Sequence, residues 1–209
     1  MTNPLGMAFP PIRARGAKGQ VLPLLAVTLM ALVAVLALAV DMSGAWRLRD
    51  RQTQTLELAK ESSMSSLNLV KFADDPALET ARLVADALAK DGYEGTAKVW
   101  YFELPESATG TADRLASVTV EISEPYRSAL AWVVGSSTMT VADQLTWTTN
   151  PYSTTKVWRP ARVTNRLYTL EIEDGALRGT TPRTITRSEL PQPAKDALAS
   201  AEGHLGGGR

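Results

Sequence analysis

Apolar and polar positions follow different periods in different parts of the chain. From Val21 to Val40 (VLPLLAVTLMALVAVLALAV) there is no charge, and only Pro23 and Thr28 interrupt the apolar run. As a helix, these 20 residues rise about 1.5 Å each and span roughly 30 Å, the thickness of a bilayer's hydrocarbon core. Pro23 falls in the first turn, where its missing N–H costs little. The run predicts a transmembrane helix. Arg13, Arg15 and Lys18 before it are matched by Arg47, Arg49 and Arg51 after it, so counting cations does not set the orientation. Long C-terminal domains are exported largely regardless of charge, which places the N-terminus in the cytoplasm and the body outside, in a single-pass protein of the cytoplasmic membrane.

Three fates of this helix fit the residues. It is retained as an anchor, or it is a signal cleaved after Ala39 within the small-residue pattern Ala37-Leu38-Ala39, or it is cut on the cytoplasmic side after Gly16 or Gly19. Retention is favoured over a cleaved signal, because the run exceeds the usual h-region of about 7 to 15 residues and passes into a charged, helix-permissive segment.

From Asp41 to about Phe72 there is no proline, so the helix is expected to continue into solvent as a stalk. Leu56, Ala59, Ser63, Leu67 and Val70 repeat at spacings of three or four. This small-residue stripe suits close packing on another helix, either of the same molecule or of a partner. Asp75-Pro76 with Glu79 in the first turn starts a second helix, and Lys90-Asp91-Gly92 stops it. Its Leu78, Ala81, Val84 and Leu88 read as core. Asp74 and Asp75 are assigned to capping, since no second polar cluster accompanies them for acid–base work.

The period then shortens to two. Ala97 to Leu104 reads as a strand, Val118, Val120 and Ile122 alternate with Thr119 and Glu121, and Ser137 to Thr149 places Met139, Val141, Leu145 and Trp147 on one face, with Asp143 breaking that row. Between the last two, Pro125 to Gly135 predicts a short amphipathic helix. Lys156 to Val163 and Arg166 to Ile172 are weaker strand candidates, Glu173-Asp174-Gly175 is a turn, and Ser188 to Ala201 contains a short helix after Pro191 or Pro193. The expected fold is α+β: a transmembrane helix continuing into a helical stalk, then a small extracytoplasmic domain with a mainly antiparallel sheet and short helices. The expected divisions are a basic cytoplasmic tail (1–20), the transmembrane helix (21–40), the stalk (41–73), an α+β domain (74–150), a β-rich extension with a short helix (151–205) and a flexible glycine-rich tail (206–209).

Composition changes this picture mainly by exclusion. The chain has 209 residues, with 44% hydrophobic and 21% charged, near globular averages that conceal the segregated apolar run. With no Cys and a single histidine, His204 in the glycine-rich tail, disulfides, thiolate ligands and a Cys nucleophile are excluded, and zinc sites and His-based catalysis are disfavoured. The formal net charge is zero, but residues 61–151 carry six basic and thirteen acidic side chains between basic ends. That acidic middle argues against nucleic-acid binding. The sequence holds no nucleophile-elbow, P-loop, HExxH, SxxK or dinucleotide-binding pattern on suitable elements, so no enzyme, cofactor or small-molecule substrate is expected. The rival to a structural role is a secreted or surface-anchored binding and adhesion module, its N-terminal helix an export signal, using Trp100, Trp132, Trp147 or Trp158 as exposed contacts.

Three segments carry a family resemblance. Arg15-Gly16-Ala17-Lys18-Gly19-Gln20 leads into an apolar run whose exit is Ala39-Val40-Asp41-Met42-Ser43-Gly44; Arg47 to Ala59 (RLRDRQTQTLELA) follows; and Ser117 to Thr149 forms a strand, proline-started helix, glycine, strand arrangement. In order and spacing these resemble TadE/TadG-like proteins of the Flp, or tight-adherence, pilus assembly systems. Two departures matter: Lys60-Glu61-Ser62-Ser63-Met64 replaces an alanine-rich segment, and Leu24 stands where type IV pilins carry a recruitment glutamate. The resemblance therefore implies a minor-pilin or pseudopilin type of component rather than a major pilin. It implies that Val21–Val40 packs among membrane helices of pilins or other assembly proteins, that Asp41 and Gly44 mark the membrane exit, that Arg47, Arg49 and Arg51 lie near lipid headgroups, and that Leu56, Ala59 and Ser63 serve helix packing.

Overall fold

The computed structural model describes residues 21–104, 115–128, 138–150 and 165–206. Helix α1 (Val21–Ser65) is a single helix of 45 residues, about 68 Å long. The apolar run and the expected stalk as far as Ser65 are thus one unbroken element, while the rest of the stalk, to residue 73, is interrupted at Ser66. Helix α1 ends at Ser65 and is followed, after Ser66, by the short α2 (Leu67–Phe72).

Helix α3 (Pro76–Lys90) begins and ends as its sequence directs. The Asp75 carboxylate accepts from the backbone N–H groups of Ala77 and Leu78, both at 3.1 Å, with Pro76 in the first turn. Asp75 is thus a cap, which accounts for one of the two paired acids. At the other end Gly92 takes φ +76°, its N–H donates to Ala89 O and that of Tyr93 donates to Leu88 O. This is a Schellman closure, and the left-handed position is why glycine stands there.

Five strands form one antiparallel sheet: β1 (Gly95–Glu103), β2 (Ala116–Tyr126), β3 (Met139–Thr149), β4 (Arg166–Glu173) and β5 (Ala176–Thr184), in the order β3-β2-β1-β4-β5. Arg187–Glu189 is a short 3-10 turn and α4 (Gln192–Gly206) closes the fold. One face of the sheet packs under α1 and α3, where Ala97, Val99, Tyr101, Val118, Val120, Ile122, Tyr168 and Leu170 meet Leu56, Ala81, Val84 and Leu88. The opposite face carries a smaller core in which Trp100, Phe102 and Leu104 meet Ile185, Leu190, Ala194 and Leu198. The molecule is α+β in three layers.

Several expectations change. Pro125 and Tyr126, assigned to a helix start, are the last residues of β2, paired with Thr140 and Met139. The pairing of β2 with β1 ends at Ser123. Beyond it β2 has a partner on one side only, and such a half-edge tolerates proline. The remainder of the expected helix, residues 129–135, and the candidate strand at 156–163 lie outside the described residues. The boundary expected at 150/151 separates no layers: β4 sits beside β1 near the middle of the same sheet and α4 covers its second face. β5 (ALRGTTPRT) escapes a periodicity reading because it is a polar edge strand, with Pro182 in it. The Asp174-Gly175 turn is as expected, both residues at positive φ as a two-residue hairpin requires. Of the glycine-rich tail, Gly206 ends α4 and 207–209 lie outside the described residues.

Two buried phenols couple the sheet to its helices. The Tyr93 hydroxyl donates to Thr96 O at 2.8 Å, and the Tyr168 hydroxyl donates to the Asp75 carboxylate at 3.3 Å. Burial pushes Tyr93 up to about 12, helped by the nearby Glu124 charge; burial likewise pushes Tyr168 up to about 12, with Asp75 adding to it. The folded state therefore holds these protons more tightly than the unfolded chain, so their contribution to stability is whole below pH 10 and lost as pH rises towards 12. Thermal melts of the full chain in detergent should show a falling midpoint across pH 10–12, and an unchanged midpoint there would contradict the placement of these phenols.

Candidate functional site: the junction between the apolar helix and the folded domain

The apolar end of α1 is bare. The 18-residue window that qualifies it to span a membrane by length and composition has none of its residues buried. A core helix of a water-soluble fold would be covered there. Burial begins at Asp41, 8% exposed, one residue beyond the apolar run.

From that point α1 is gripped by polar contacts. The Ser128 hydroxyl donates to the Asp41 carboxylate at 2.5 Å. A Cβ on Gly44 would overlap the Tyr126 phenol oxygen and lie 2.8 Å from its Cζ, so glycine is what lets the end of β2 lie against the helix. About two turns further along, the Gln52 amide, 1% exposed, donates to Glu124 at 3.3 Å and to Val141 O at 3.1 Å. The Thr53 hydroxyl donates to Asp143 at 2.6 Å. Asp143, the acid that breaks the apolar row of β3, does so because a threonine of α1 stands over it. On the other side of the helix Thr55 donates to Asp91 at 2.5 Å and Arg51 to Gly92 O at 3.3 Å, tying α1 to the cap of α3.

The sequence-predicted residues fall into three groups here. Leu56, Ala59 and Ser63 are buried at 1%, 0% and 3%, with Leu56 and Ala59 in the cluster that includes Ala77, Ala81 and Val84 of α3. Their stripe packs within the same molecule, so the stalk does not stand clear of the domain but forms part of its core. Asp41, Gly44 and Arg51 are joint residues. Arg47 and Arg49 are exposed, and Arg49 borders a shallow cavity of about 310 Å³ with Glu121 and Asp143. Ala39 lies in mid-helix and is exposed, while Gly16 and Gly19 lie outside the described residues. Of the tryptophans considered as surface contacts, Trp100 and Trp147 are buried core residues at 8% and 6%, and Trp132 and Trp158 lie outside the described residues.

Sequence reasoning missed Gln52, Thr53, Thr55, Tyr126 and Ser128. Thr53 and Thr55 carry a signal, since β-branched residues weaken an exposed helix and need a partner to account for them, whereas Gln52, a good helix former, carries none. Tyr126 and Ser128 carry none without the strand register. Among the described residues no group of three or more His, Asp or Glu side chains could hold a metal ion. Comparison with known protein families, with curated proteins and with solved structures finds no match for this chain.

Two substitutions test the joint. Gly44→Leu gains helix propensity of up to about 1 kcal/mol, so a net loss is diagnostic. A loss of about 1 to 3 kcal/mol is expected from the clash with Tyr126, with most of it recovered in the Gly44→Leu/Tyr126→Ala double variant. Gln52→Ala leaves the facing Glu124 carboxylate and Val141 carbonyl without their donor and should cost about 1 to 3 kcal/mol by chemical denaturation; a neutral result would show that α1 is not held at this point.

Proposed function

We propose that this protein is a non-enzymatic, single-pass component of a Flp-type (tight-adherence) pilus assembly or secretion machinery, of the minor-pilin or pseudopilin kind. Val21–Val40 spans the cytoplasmic membrane with the N-terminus in the cytoplasm, packs among other membrane helices, and is retained in the mature protein. The folded domain lies outside and contacts pilus or envelope components. No nucleic acid, cofactor or small-molecule substrate takes part.

The observation that carries this reading is the bare apolar half of a helix whose other half packs Leu56 and Ala59 into the core of a folded domain. A helix used only for export ends in a segment that a peptidase can open; here Ala39 sits inside a helix continuing to Ser65, whereas cut sites concentrate at exposed loop tips. The motif residues Asp41 and Gly44 are those where the domain touches the helix, which gives the family-like exit pattern a physical reason.

The decisive measurement is the N-terminal sequence and intact mass of the protein from membranes of its native host, together with electron microscopy of a deletion strain. An N-terminus at or before Gln20 and cells lacking pili are the expected results. A new N-terminus at Val40 would make the helix an export signal and the protein a secreted binding module. Normal pili in the deletion strain would remove the pilus role.

A further inference from the structure

We propose that the folded domain is seated in the lipid headgroup layer, making a second contact with phospholipid at the β2–β3 corner beside the helix. This rests on the membrane reading of Val21–Val40. Because α1 is one rigid helix, depth along it is fixed by residue number. Gly44 lies four residues past Val40, about 6 Å further along the axis. The polar layer on each side of a bilayer is about 5 to 7 Å thick. The domain already touches the helix within that interval, through Ser128 on Asp41 and Tyr126 against Gly44. The end of β2 and its paired neighbour Met139 are therefore at headgroup depth whatever the tilt of the sheet further out.

The side chains at that depth have the chemistry of an interface. Met139 is 57% exposed, a poor state for a large apolar side chain in water and a favourable one among lipid. Arg127 is exposed beside it, a cation within reach of phosphate. On the side of the helix turned away from Gly44, Trp46 is 69% exposed and followed by exposed Arg47, the amphipathic and basic pairing that membrane interfaces favour. The helix is thus flanked at one level by Trp46 on one side and by Met139 on the other. Two contacts on opposite sides resist both rotation of α1 about its axis and tilting towards the domain, which a lone spanning helix does not.

The chain contains no cysteine, so a single introduced one is the sole labelling site. The full chain carrying Val35→Cys, Met139→Cys or Asp74→Cys is labelled with an environment-sensitive fluorophore and reconstituted in phosphatidylcholine–phosphatidylglycerol vesicles. Nitroxides placed on headgroups or deep in acyl chains then report depth. Asp74 is exposed at the far end of the helix pair, beyond the end of α1. The expected result is acyl-chain quenching at position 35, and headgroup quenching at 139 at least twofold greater than at 74. Quenching at 139 equal to that at 74, with position 35 still quenched, overturns this proposal and leaves the spanning helix standing. Absence of quenching at position 35 overturns both.

Discussion

A single helix here answers to two environments. Up to Val40 none of the described residues of α1 is buried, and from Asp41 onward one stripe of it packs into a folded domain. The two halves cannot adjust independently, because no break separates them. The packing of Leu56 and Ala59 on the alanines of α3 is close but has little direction, and it would tolerate sliding by a turn. Hydrogen bonds supply what it lacks: Asp41 meets Ser128 just past β2, Gln52 meets Glu124 and Val141, Thr53 meets Asp143, and Thr55 meets the cap of α3. Each contributes about 1 kcal/mol net, but leaving a buried partner unpaired costs more, so together they define one register.

That register propagates into the sheet. Glu124, Val141 and Asp143 are held by α1 from above, at the one corner where β2 outruns β1. Tyr93 braces the same corner from inside, its hydroxyl bonded to Thr96 O and receiving the backbone N–H of Ser123. Asp75 and Tyr168 tie the opposite end of α3 to β4. The antiparallel helix pair is therefore pinned to the sheet at both ends by polar contacts, while apolar area fills the middle.

Much of this was legible in the residues. The apolar run, the caps of α3, strands β1 to β4 and the Asp174-Gly175 turn follow from periods of 3.6 and 2 and from local capping chemistry, which act over a few residues. What escaped reading depended on distant partners. Pro125 is a strand residue because β1 stops short of it, β5 is a strand because β4 offers an edge, and Asp143 is not a fault in its row because Thr53 lies 90 positions earlier. Ser63 and Ala59 suited a partner molecule and their own domain equally well by spacing alone, and only the position of α3 decides between them. The joint itself was half visible: Asp41 and Gly44 stood out as a motif, whereas Tyr126 and Ser128, which give it purpose, are unremarkable in sequence.

The sheet order also bears on how the chain is made. β1 lies third among five, with β2 bonded to one edge and β4 to the other. Its second edge finds Leu167 only after the whole of β2, β3 and the segment that follows have been synthesised. A growing chain thus holds α1, α3 and a three-stranded sheet with an open apolar border well before its last quarter arrives. Unpaired borders of this kind recruit other strands. The late arrival of β4 thus sets the interval during which neighbouring nascent chains can zip together instead of closing on themselves.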